Sequence, residues 1–394
     1  MSTLWERLGV ARIVNAKGPA TRLSGPPLHP AVAEAMAEAA LSCVDLLALQ
    51  ARASAIIAAH TGAEAGLVTS GAAAGLLLGA AACTTGLDPA AMARLPVIGR
   101  GGRNEIVMVR SQRNQYDHAL RAAGLRIVEV GLPDRFAGAG CRDAEPWEIR
   151  AALGERSACV HYVAGAHARP PLGAVVEVAH RHGVPVLVDA AAQLPPRANL
   201  RRFIAAGADL VAFSGGKAIG GPQASGILCG RRDLVAAAAL QMLDMDYPDG
   251  GFAPPPAFID TSRLPGLPPH GIGRPCKVGK EQIVGLLVAL ERFVATDEAA
   301  EHAGWVALLE RLAAALADLP AELTLRRELP VPLLEVAPRR GDAHQLVRRL
   351  AAMTPAVHVD PEPAGDGRVV INPTCLLPDD EPLLARQLRA ALQP

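Results

Sequence analysis

Residues 186–217 read VLVDAAAQLPPRANLRRFIAAGADLVAFSGGK. Two short apolar runs, 185–190 and 209–214, flank a stretch of helical spacing at 199–206. Both runs are continuous rather than alternating, the pattern of strands buried on both faces of a mostly parallel sheet. The first run carries Asp189 at its end, and the second leads into Gly215, Gly216 and Lys217. In open parallel sheets ligands bind beyond the carboxyl ends of the strands. A carboxylate and an amine therefore face one crevice if these two strands are neighbours.

The same pattern extends in both directions. Apolar runs at 66–70 (GLVTS), 106–110, 126–130, 158–163 and 226–230 bring the strands to seven, with helical candidates at 72–83, 115–123, 146–154 and 174–182. This predicts an α/β domain on a mostly parallel seven-stranded sheet. Residues 31–60 carry apolar positions three and four apart and read as one helix. Residues 247–275, dense in Pro and Gly, hold no regular element and mark a boundary or an active-site loop. Beyond them, helices at 278–293, 305–316 and 343–352 alternate with strands at 323–328, 331–336, 356–359 and 368–372 before a last helix from Asp380. The expected organisation is an N-terminal arm (1–30), a large α/β domain (31–265) and a smaller C-terminal α+β domain (266–394).

Composition narrows the function. The chain of 394 residues is 50% hydrophobic and 20% charged, which excludes a disordered protein. Lys+Arg and Asp+Glu are both 39 and aromatics are 3%, so neither a polyanion-binding surface nor a base-stacking platform is expected. The uncharged stretch 65–87 is long enough to span a bilayer, but it reads better as strand, turn and buried helix. The N-terminus lacks the basic-then-apolar pattern of a secretory signal. Seven cysteines without a CxxC indicate neither a disulfide framework nor a zinc ribbon, and no metal site is expected. A cytoplasmic protein without membrane attachment is the expectation.

Only four of the 39 basic residues are lysine: Lys17, Lys217, Lys277 and Lys280. Where arginine serves every ordinary positive charge, a retained lysine has a raised chance of being needed as an amine, because guanidinium stays protonated and is a poor nucleophile. Lys217 and Asp189 match the needs of pyridoxal 5′-phosphate (PLP): a lysine for the Schiff base and an acid that keeps the pyridine nitrogen protonated. A phosphate cradle is the third requirement. Strand GLVTS runs into Ser70-Gly71-Ala72, where a helix begins and its free N–H groups can hold a dianion. Taken singly, Asp189 reads as a strand-end turn, Lys217 as a loop charge and SGAAAG as helix packing. The G-x-G-x-x-G pattern of dinucleotide sites is absent.

Several segments together resemble a known group: IVNAKGPATRLSG (13–25), TGAEAGLVTSGAAAGLLLGAAAC (61–83), RNQYDHALRAAG (113–124), VLVDAAAQLPP (186–196), FSGGKAIGGPQASGILCGR (213–231), DMDYP (244–248) and GRPCKVGKEQIVGLLVALERF (273–293). They are similar to fold-type I PLP enzymes, specifically bacterial selenocysteine synthases (L-seryl-tRNA selenium transferases) and their short D-glucosaminate-6-phosphate ammonia lyase-like relatives. The resemblance implies Lys217 as the Schiff-base lysine, Asp189 beneath the pyridine nitrogen and Ser70-Gly71-Ala72 at the phosphate. It also implies Gln193 near the ring hydroxyl and Ser214 assisting the phosphate. Gln112 stands near the ring face, where relatives often place a histidine; His118 is a candidate to compensate, with a structural role favoured. The long tRNA-dependent members carry an extra N-terminal domain, whereas this sequence begins almost at the VNA motif. With a balanced charge as well, no nucleic-acid partner is expected. A homodimer or higher homo-oligomer with sites at the interface is implied.

Candidates for a substrate carboxylate are Arg22 in ATRLSG, Arg169 in AHARPPLG and Arg274 in GIGRPCK, each weighed against a plain structural charge. His161 and His167 flank a strand end and read as satisfied core or loop histidines. Tyr116 is a candidate proton donor or a packing residue. The expected function is removal of the α-proton of an amino acid by Lys217. The favoured outcome is α,β-elimination by an ammonia lyase on a small polar or sugar-derived amino acid. The alternative is a racemase or epimerase; tRNA-dependent transfer and a non-catalytic relative rank lower.

Overall fold

The computed structural model describes residues 4–132, 143–248 and 250–393, which fall into two compact units: Met1–Leu28 with Ala295–Pro394, and His29–Val294. Twelve strands are described: β1 (Val14–Ala16), β2 (Ala65–Thr69), β3 (Glu105–Val109), β4 (Arg126–Val130), β5 (Ser157–Val163), β6 (Val186–Asp189), β7 (Leu210–Ser214), β8 (Gly226–Gly230), β9 (Ala321–Arg326), β10 (Leu333–Pro338), β11 (Val357–Val359) and β12 (Val369–Ile371).

The larger unit is built on a seven-stranded sheet of order β2-β8-β7-β6-β5-β3-β4. Strands β3 to β7 pair in parallel, whereas β8 runs antiparallel to both β7 and β2. Six strands therefore share one direction, and β8 alone opposes them. The central residues of all but the edge strand β4 are buried, as continuous apolar runs require. The helix Ala72–Thr85 accounts for the uncharged stretch read from the sequence. It is apolar all round because it lies between the sheet and the helix Arg232–Met242, itself buried from Leu234 to Met242. Gly79 allows its close approach, since a Cβ there would sit 2.9 Å from Leu187 Cδ1.

Strand β2 lies at the edge of the sheet, and side chains of the helix Leu46–Thr61 seal it. Gln50 Nε2 donates to the Val68 carbonyl (2.9 Å) and Gln50 Oε1 accepts from the Val68 N–H (3.1 Å), as a neighbouring strand would. Ser54 Oγ accepts from the Gly66 N–H at 3.0 Å. Gly66 has no room for a side chain, because a Cβ would lie 2.4 Å from Ile57 Cγ2. Replacing Gln50 with leucine leaves two buried backbone groups unpaired, at roughly 1–3 kcal/mol for each. The expected result is a lower urea midpoint with an unchanged m-value.

The single helix expected over 31–60 is two, Pro30–Ala40 and Leu46–Thr61, because Asp45 caps the second through the N–H groups of Leu47 and Ala48. Among its described residues, the Pro/Gly-rich 247–275 segment forms only the short 3-10 turns Thr261–Arg263 and, at its end, Arg274–Cys276.

In the smaller unit, β12-β10-β9 form an antiparallel sheet and β1 pairs in parallel with β11. Val14 and Ala16 enter the core beside Leu334, Val357 and Ile371. Lys17 pairs with Asp360 at 2.5 Å, and the Asn372 N–H donates to the Ala16 carbonyl at 2.8 Å. The packing thus divides the chain differently from the expected 30/31 and 265/266 boundaries. Residues 1–28 join the C-terminal unit through β1, and the helix Lys280–Ala295 lies mostly within the larger one.

Candidate active site

Strands β2, β3, β5, β6 and β7 run the same way, so their carboxyl ends share one edge of the sheet. Ser70 and Gly71 follow β2, Gln112 follows β3, Asp189 ends β6 and Ser214 ends β7, with Lys217 three residues on. The neighbourhood assumed from the sequence holds: β6 pairs with β7, and Asp189 is registered with Ala212.

Asp189 is 8% exposed, and its Oδ1 accepts the Ala191 N–H at 2.9 Å. Burial pushes the Lys217 amine below the ordinary lysine range, while the negative charge of Asp189 opposes that shift. Lys17 and Lys280 are instead held by Asp360 (2.5 Å) and Glu281 (2.6 Å), and Lys277 is exposed. The β7–β8 connection closes on itself at the two glycines. Gly215 donates to the Ser225 carbonyl (2.9 Å), and a Cβ on Gly216 would lie 2.7 Å from Gln223 Cα.

The helix Ala72–Thr85 begins at Gly71 (φ 145°, ψ 165°), with no side chain capping it. Its first N–H groups are therefore available to an anion, which the helix dipole favours. By contrast, Asp45, Asp88, Asp297 and Asp342 cap the helices that follow them. Thr69 Oγ1 donates to the Gly71 carbonyl at 2.9 Å. A Cβ on Gly226 would lie 2.5 Å from the Gly71 carbonyl carbon, so β8 starts directly against this turn. Gly226→Ala is accordingly expected to weaken phosphate-dependent PLP binding while leaving most helix content intact, as read by PLP titration beside circular dichroism. Acid, amine and uncapped helix terminus on one strand edge fit PLP.

The remaining candidates are placed as follows. Gln112 is 8% exposed; its Oε1 accepts the Val163 N–H (2.9 Å) and its Nε2 donates to the Arg169 carbonyl (3.2 Å). The amide thereby ties the end of β5 to the loop after it. Gln193 is half-buried, its carbonyl accepting from Asn199 Nδ2 at 2.7 Å, and Ser214 is half-buried. Arg169 is exposed, and its charge acts on Tyr162, whose register with Val188 sets it on the sheet face opposite Asp189. Arg274 is engaged by Asp244 at 2.8 Å. Asp244 lies below the usual carboxylate range through the Asp246 N–H, then His270 and Arg274. Arg22 sits in the smaller unit on the turn Thr21–Leu23, where its charge acts on His358. Tyr116 is 60% exposed and His118 is exposed. No disulfide joins the described cysteines, and Cys141 lies outside the described residues. Sequence reasoning missed Gly226; a glycine opening an apolar strand, GILCG, was the available signal.

This sheet, with its lysine, acid and helix terminus, defines the class: a fold-type I, PLP-dependent enzyme. The family model described as L-seryl-tRNA selenium transferase matches residues 48–244, the span that contains Ser70, Gln112, Asp189 and Lys217. The chain is 32% identical over 406 aligned residues to a 5′-C-glycyluridine monooxygenase-decarboxylase of Streptomyces sp, covering 98% of this chain and 92% of that protein. It is 33% identical over 298 residues to a D-glucosaminate-6-phosphate ammonia lyase of Salmonella typhimurium, covering 74% and 70%. A solved structure of D-glucosaminate-6-phosphate ammonia-lyase superposes with a TM-score of 0.79 at 26% identity, covering 100% and 98% of the two chains. The protein belongs to the L-seryl-tRNA selenium transferase family and is a PLP-dependent enzyme, consistent with a lyase. No described helix is long and apolar enough to cross a membrane.

Proposed function

We propose that the protein is an ammonia lyase that removes the α-proton of a small polar or sugar-derived amino acid and expels its β-substituent. The observation that carries this reading is the placement of a buried carboxylate, Asp189, and a half-buried amine, Lys217, at and just beyond the ends of the adjacent strands β6 and β7, on the sheet edge where β2 leads into an uncapped helix terminus. Bound PLP supplies an electron-withdrawing ring that makes the α-hydrogen removable. Asp189 would accept a hydrogen bond from the ring N–H, and its negative charge would keep that nitrogen protonated. Lys217 Nζ takes the α-proton, which requires the amine to be neutral. The N–H groups at Gly71–Ala72 and the Ser70 and Ser214 hydroxyls hold the phosphate, with Gln193 at the ring hydroxyl. Arg274, Arg169 and Arg22 are the substrate-carboxylate candidates, and Arg274 already holds Asp244 through one of its guanidinium nitrogens. Loss of the β-substituent and hydrolysis then release ammonia and a 2-oxo acid.

A panel of amino acids in deuterium oxide tests this. Ammonia and 2-oxo acid in equal amounts support the lyase, whereas α-deuteration without 2-oxo acid identifies a racemase. The near-full-length likeness to a monooxygenase-decarboxylase favours a second reading, oxidative decarboxylation, for which the signature is oxygen uptake with carbon dioxide release. A free amino acid is the preferred substrate over a tRNA-bound one, given 39 basic against 39 acidic residues; a salt-sensitive shift with tRNA would reverse that preference. A cytoplasmic homodimer or larger homo-oligomer, with sites at the interface, completes the proposal; light scattering reads its mass.

The lowered Lys217 affinity for protons sets a pH expectation. Only the neutral amine reacts with PLP, so reconstitution of the apo-protein accelerates as pH rises. The rate levels off at a pH below that of an ordinary lysine, because burial disfavours the charged form. Stopped-flow absorbance against pH measures it.

A further inference from the structure

Strand β5 places a second titratable group behind Asp189. Val163 is registered with Asp189 and His161 with Leu187, and residues two apart share a face. His161 is 3% exposed and lies within the otherwise apolar strand SACVHYV. Its Nδ1–H donates to the Leu187 carbonyl at 3.1 Å, an assignment that follows from the carbonyl being only an acceptor. The ring is thereby fixed, and Nε2 is the atom left to exchange a proton. Burial pushes His161 towards the neutral form, while the charges of Asp189 and Asp117 oppose it.

Asp117 opens the helix Asp117–Ala122 and is 2% exposed. Arg113 pairs with its Oδ2 and also with Glu129, whereas Asp117 Oδ1 is buried without a hydrogen-bond partner among the described residues. A histidine in an apolar strand costs desolvation, and its bond to Leu187 alone could be replaced by an apolar side chain at little net loss. Two carboxylates acting on one imidazole are a stronger reason for its presence. The registers also set Cys159 on β5 and Glu129 on β4 on this face; Glu129 is paired with Arg110 and Arg113, and Cys83 on the helix Ala72–Thr85 acts on Cys159.

We propose that His161 is the positioning residue of Asp189. It shares the sheet face of Asp189 and stands in the field of both Asp189 and the buried Asp117, which Arg113 holds, and while its ring is neutral Asp189 keeps its full strength as acceptor of the hydrogen bond from the ring N–H. A protonated His161 would place a cation beside Asp189 and weaken that hold, so acid loosens the cofactor through this residue. The inference rests on the PLP reading of the site.

Apo-protein and holoenzyme separate the two. In the apo-protein, the Cε1–H signal of His161, assigned by its loss in His161→Asn, is titrated in wild type, Asp189→Asn and Asp117→Asn. Each carboxylate favours the charged imidazole, so each substitution is expected to lower the midpoint. A signal with the same position and midpoint in all three proteins overturns the proposal. In the holoenzyme, the PLP dissociation constant is expected to rise towards acid by roughly three- to tenfold, the effect of about half to one pKa unit, and His161→Leu, which takes no proton, is expected to lose that rise. His161→Asn keeps a donor for Leu187 but takes no proton, so a wild-type rise towards acid in that variant would reduce His161 to a structural role and overturn the proposal. Failure of wild type to bind PLP would sink the reading of the site while leaving the apo-protein result intact.

Discussion

Lys217→Ala is expected to lose the visible absorption band of the PLP-bound enzyme and to lower turnover by roughly 10⁴-fold, the upper range for removal of a positioned acid–base group. Lys217→Arg is expected to behave the same way, because guanidinium neither forms the imine nor deprotonates in this range. Folding should survive both changes. Lys217 is half-buried, burial already disfavours its charge, and the surrounding loop is held by backbone bonds from Gly215, Gly220 and Gly221. Absorbance, single-turnover kinetics and thermal melting on the same preparations test the claim. A variant that kept the band with another lysine labelled after borohydride reduction would move the active amine elsewhere.

Asp189→Ala is the second large effect. The carboxylate is buried, takes the Ala191 N–H and acts on both Lys217 and His161. Removing one partner of a buried charged pair costs about 3–5 kcal/mol. Spent on the catalytic step, that is roughly 10²- to 10⁴-fold in kcat. PLP affinity is expected to fall as well, because the ring nitrogen loses its acceptor. Asp189→Asn retains the shape and the bond to Ala191 but not the charge. If it restored kcat, Asp189 would act by geometry rather than by protonating the ring.

The larger fold was legible because its signals are local. Continuous apolar runs such as VLVD and LVAFS, short and bounded by turn residues, read as buried strands, and the intervening helices favour parallel pairing. Asp189 and Lys217 were legible for the same reason, as both sit at ends of such runs. The arm was less readable. Val14–Ala16 is three residues long and becomes a strand only by pairing with Val357–Val359, more than three hundred residues away. No local pattern announces that partner. The break in the long helix at 41–45 was readable in principle from Asp45, but the apolar spacing runs through it.

The sequence by itself determined the class of chemistry: a scarce lysine, an acid and a glycine turn at strand ends admit few cofactors. Only the tertiary structure decided which polar groups are already committed. Gln112 spends both ends of its amide on the backbone, Arg274 is paired with Asp244, and His161 lies two residues short of the position opposite Asp189. The physical reason is that hydrogen bonds and burial join residues far apart in the chain. A residue's type shows what it can do, and its neighbours across the sheet decide whether it is free to do it.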